Sequence, residues 1–89
     1  MSTHEKLDAI REKCLDNITL AEGLMPRAGG VYLADLKYSV AGWRSTISAI
    51  DGLRKIAFIE ETGATDESYL GRIAASALDG IITAWKGIV

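Results

Sequence analysis

Cysteine, histidine and proline each occur once in the 89 residues, and each scarcity excludes something. Cys14 alone cannot form an internal disulfide, so a packed core has to hold the fold, and a reducing compartment fits best. One His and one Cys, ten residues apart, leave no zinc-type ligand set, and no HExxH, CxxC or EF-hand pattern occurs. The phosphate fingerprints GxxxxGK[ST] and GxGxxG are also missing. A base or nucleophile needs positioned partners, so His4 is expected in solvent at a helix start and Cys14 in the core. No cofactor is implied, and the expectation is a non-enzymatic protein. No apolar run approaches the roughly 18 residues of a membrane span, and Met1 to Asp8 lacks the basic and apolar regions of a signal peptide. A soluble cytoplasmic protein is therefore expected.

What is present is ordinary globular material, 48% apolar and 25% charged, with a net charge of −2. The charge is uneven. Residues 1–25 carry −2 and 56–89 carry −3, whereas 26–55, with Arg27, Lys37, Arg44, Arg54 and Lys55 against Asp35 and Asp51, carry +3. Such a band can complement a second copy or a small anion. It is too weak for duplex nucleic acid.

The first helix is expected over about 3–22. Ser2 and Glu5 fit a capping box, and Leu7, Ile10, Cys14, Ile18, Ala21 and Met25 recur at three and four. Gly23 and Pro26 should end it, since proline lacks a donor and disfavours helix just before it.

A long second helix is expected over about 31–61, carrying a seam of Leu36, Val40, Trp43, Ile47 and Ile50. Ala41, Ser45, Ser48 and Gly52 form a second row of small residues, a candidate contact face. Lys37, Arg44 and Asp51, seven apart, are expected as a solvated line, with Asp51 placed to pair with Lys55. Gly63 suits a C-cap and Thr65 or Asp66 an N-cap, so the third helix is expected over about 66–87. Glu60, Glu61, Asp66 and Glu67 crowd that turn, but their spacing fits no metal loop.

The third helix has only a narrow polar stripe, Arg72, Ser76, Asp79, Thr83 and Lys86. A helix so apolar should be covered on most of its circumference. At about 1.5 Å per residue the middle helix spans roughly 45 Å against roughly 30 Å for its neighbours. Either it kinks, at Gly42 or Gly52, or a second chain covers the surplus. The reading is an all-α chain: a single three-helix domain with a long central helix, assembling as a homodimer or larger oligomer. Ala41, Trp43, Ser45, Ser48, Gly52, Trp85 and Ile88 are the candidate interface residues, because interfaces favour aromatic anchors.

One small-ligand site stands out. Arg27-Ala28-Gly29-Gly30 precedes a helix, where unpaired N–H groups and a guanidinium suit phosphate. Tyr32 and Tyr38 could stack on a base, with Lys37 as a further cation. The competing reading is a plain flexible link with Tyr32 and Tyr38 at an interface. The run from Pro26 through Leu33-Ala34 to Trp43, about eighteen residues, resembles phage anti-defence proteins that sequester cyclic oligonucleotides, and it carries no diagnostic motif. The resemblance implies binding of a phosphorylated small molecule. The leading expectation remains an adaptor, regulator or inhibitor acting through its helical surface on its own copies or another protein.

Overall fold

The computed structural model describes residues 1–88. Three helices follow one another: α1 (Thr3–Leu24), α2 (Gly30–Ala57) and α3 (Tyr69–Ala84), with a 3-10 turn over Met25–Arg27. No strand forms among the described residues, apart from one isolated bridge between Phe58 and Thr65. No described helix is long and apolar enough to cross a membrane.

The capping box is present. Ser2 Oγ accepts from the Glu5 N–H at 3.1 Å, and the Ser2 N–H donates to Glu5 Oε1 at 3.3 Å. α1 runs two residues further than expected, through the exposed Gly23. A helical glycine costs only about 1 kcal/mol, and buried Ile18 and Ala21 anchor the turn beneath it. Pro26 sits early in the 3-10 turn, where a missing N–H forfeits no helical bond. Gly30 opens α2 at φ +58°, a conformation that favours glycine.

α2 is unbroken through Gly42 and Gly52 but stops at Ala57, four residues early. There Phe58 turns extended, φ −126° and ψ 149°, because tertiary contacts claim it. It pairs with Thr65, and its ring lies 4.3 Å from His4. Gly63, at φ +70°, closes the reverse turn instead of capping the helix, its N–H donating to Ile59 O at 2.7 Å. The N-cap of α3 is Ser68, not Thr65 or Asp66, its Oγ accepting from Gly71 at 3.2 Å. Asp66 accepts from the Ser68 N–H at 2.8 Å. Those bonds, backbone first and side chain second, hold the Asp66 carboxyl below the usual carboxylate range. Their contribution is present above the unfolded pKa and is lost as pH falls through the lowered one. Gly71 is buried against this turn, and a Cβ there would collide with the Asp66 carbonyl oxygen. Only glycine lets α3 dock so closely.

α1 and α2 form an antiparallel hairpin, and α3 returns along the C-terminal half of α2. Leu7, Ile10, Cys14, Ile50, Ala57, Ala74 and Leu78 build the main core from all three helices. Ile18, Ala21 and Val40 form a second cluster with Met25 and Leu36, where only the hairpin contributes. Trp43 and Ile47 pack on both clusters. Burial pushes the Cys14 thiol up, which keeps it neutral and unreactive.

Three salt bridges join α1 to α2. Arg54 Nη1 meets Asp8 Oδ1 at 2.6 Å, Arg11 Nε meets Asp51 Oδ1 at 3.1 Å, and Arg44 Nη2 meets Glu22 at 3.3 Å. Of the expected solvated line Lys37 and Arg44 are exposed, while Asp51 is half-buried. Arg44 and Asp51 face the edge of α1, and Asp51 is held by Arg11, not Lys55. His4 is corrected too: it is half-buried between Phe58 and Arg54, whose guanidinium lies 3.0 Å from Nδ1. Its Nε2 is buried without a hydrogen-bond partner among the described residues.

Candidate functional site

The expected phosphate loop lies at the open end of the hairpin. Arg27, Gly29 and Gly30 are exposed, and no side chain caps α2 at Gly29. Arg27 makes no salt bridge among the described residues. The other candidates do not converge on it. At 100° per residue, Tyr32, Lys37 and Tyr38 project about 100–140° apart, so one chain cannot wrap them around one ligand. Tyr38 instead shares a cleft of about 350 Å³ with Ser39, Gly42, Trp43, Thr46 and Trp85. Two residues expected at an interface, Trp43 and Trp85, thus pack within their own chain, and Tyr38 stands at their margin, 84% exposed.

That cleft also orients the surface. It shows which edge of α2 faces the end of α3, the edge of Tyr38, Gly42 and Thr46. Continuing along this side, Ala41, Ser45, Ala49, Gly52 and Ile56 are all exposed. Ser48 lies toward α1, beside Arg44 and Thr19. On α3, Ile82 and Thr83 share a cavity with α1, so the polar stripe of α3 lies on the α1 side. Its other flank, Tyr69, Leu70, Ile73, Ala77 and Ala84, adjoins α2 and is exposed, Leu70 by 66%.

The two flanks make one surface. Its α1-ward border on α2 carries the exposed Lys37, Arg44 and Lys55, three or four residues from Ala41 or Gly52, and the strip from there to the polar stripe of α3 has no charged side chain. The expected covering of α3 is therefore absent within the chain: only Gly71, Ala74 and Leu78 are buried. The chain is also elongated, 48 × 23 × 22 Å. The radius of gyration is 15.4 Å, against about 12 Å for a compact domain of this length. The accessible surface is 6001 Å², against about 5,100 Å² for a typical monomer of this mass. Sequence reasoning found the small-residue row of α2 but missed Tyr69, Leu70, Ile73 and Ala77 as its continuation. The available signal was the narrowness of the polar stripe on α3.

Among the described residues no group of acids, His and Cys is placed to hold a metal. Glu67 pairs with Arg72 at 3.6 Å, and Asp66 is occupied by Ser68. The fold and surface define a small all-helical chain with a broad uncovered apolar face. Comparison with known protein families, curated proteins and solved structures finds no match. The resemblance at Pro26–Trp43 therefore rests on those residues alone.

Proposed function

We propose that the chain is a non-enzymatic interaction protein that assembles with copies of itself through the joined faces of α2 and α3, and acts as an adaptor, regulator or inhibitor in that form. The observation that carries this reading is the uncharged apolar surface spanning both helices. Monomeric proteins seldom leave so broad an apolar surface open. The small residues of α2 favour a second copy, because they let another backbone approach while Tyr38, Leu70 and Ile73 supply bulk. Light scattering at micromolar concentration should give at least twice the 9.6 kDa chain mass. A monodisperse monomer would overturn the reading.

A second reading has one observation in its favour: an uncapped α2 N-terminus beside the unpaired Arg27. Sequestration of a phosphorylated small molecule there would draw its remaining contacts from a neighbouring copy. Cyclic dinucleotides should then raise the melting temperature, by an amount set by ligand concentration over Kd, and Arg27→Ala should abolish the rise. No shift with any such anion removes this reading and leaves the first intact.

A further inference from the structure

The beginning of α1 and the end of α3 enclose a cavity of about 300 Å³ on the side of the molecule away from the α2–α3 face. Its apolar lining comes from Ala9, Ile10, Ile82 and Trp85 with the exposed Met1 at its edge, and Lys6 and Lys86 are the charged side chains that border it. Both lysines are exposed, and neither makes a salt bridge among the described residues. An apolar chamber with a few polar groups at its margin is the usual form of a small-molecule site, and this volume lies at the low end of that range.

We infer that this cavity binds a small amphipathic anion, a single alkyl chain bearing one carboxylate. The alkyl group takes the place of water against Ile10, Ile82 and Trp85, where each buried methylene contributes about 0.8 kcal/mol. The carboxylate stays at the mouth between the two ammonium groups. The first turn of α1 is beside the cavity, but its positive pole is already met by the Ser2–Glu5 capping box and the Glu5 carboxylate, so the field is that of the lysines. The negative pole of α3 would oppose it, but its carbonyls are partly satisfied. Those of Ile81 and Thr83 accept from the Trp85 N–H, and that of Thr83 also accepts from Lys86. A dinucleotide is too large and too polar for this lining. A cation finds Lys6 and Lys86 in its way.

Trp85 is a built-in reporter once Trp43 is silenced. In a Trp43→Phe chain, titration with decanoate should change Trp85 emission saturably, and decyltrimethylammonium, with the same chain and opposite charge, should not. Lys6→Gln with Lys86→Gln should weaken decanoate roughly three- to tenfold, as two exposed charge pairs imply. Ala9→Leu, on a half-buried helical position that tolerates leucine, should fill the cavity and abolish the change. Equal response to both head groups, or decanoate binding that survives Ala9→Leu, would mean adsorption to the open apolar face and would overturn the inference. So would the lack of any saturable response.

Discussion

Ile73→Glu should return the assembled chain to a 9.6 kDa monomer without unfolding it. Ile73 is half exposed in the single chain, so a glutamate there keeps its water while the chain is alone. Between two copies it must be stripped of water opposite alanines, serines and leucine, where the nearest cations, Lys37 and Lys55, stand only at the border of the face. Burying an unpaired charge costs several kcal/mol, and truncating a central apolar anchor costs about 2 kcal/mol more. Association should therefore weaken by at least 100-fold, read by light scattering across a dilution series. Ser76→Glu, on the polar stripe of the same helix, is the control and should leave the mass unchanged. If both variants stay assembled, the copies meet elsewhere.

The other large effect is expected inside. Ile50 is fully buried where all three helices meet. Ile50→Ala removes its contacts and leaves a cavity that surrounding helices can close only in part, at about 3–4 kcal/mol. A domain of this length holds only about 4–13 kcal/mol in total. The melting temperature, followed by circular dichroism at fixed concentration, should fall by roughly 15–30 °C. Val40→Ala, in the two-helix cluster, should cost about 1–2 kcal/mol, since a smaller side chain is lost beside an open flank. Equal losses at the two positions would contradict the division into two clusters.

Much of this fold was legible because α1 and α2 are amphipathic over many turns. Leu7, Ile10, Cys14, Ile18 and Ala21 are one stripe in the sequence and one buried row in the fold. The seam from Leu36 to Ile50 likewise faces inward, and the capping box needs only residues three apart. What failed depends on pairs distant in the chain. Phe58 reads as a continuing helix until it meets Thr65 and His4. Asp51 looks solvated until α1 brings Arg11 alongside. Gly71 resembles any helical glycine, because its reason is the backbone of Asp66. The candidate sites divide in the same way. Arg27 to Gly30 is contiguous and could be named in advance. Lys6 and Lys86 stand at opposite ends of the sequence, and nothing local relates them.

The two-helix cluster has a further consequence for how the chain opens. Amides in α2 near Ile50 are covered by two neighbouring helices, those from Leu33 to Val40 by one. Exchange with solvent deuterium should therefore be layered, with the loop end of the hairpin opening in a sub-global step well below the free energy of complete unfolding. The main core then stays folded while Arg27 to Gly30 and the residues behind them move as a unit. That end can adjust to whatever it meets at little cost to the rest.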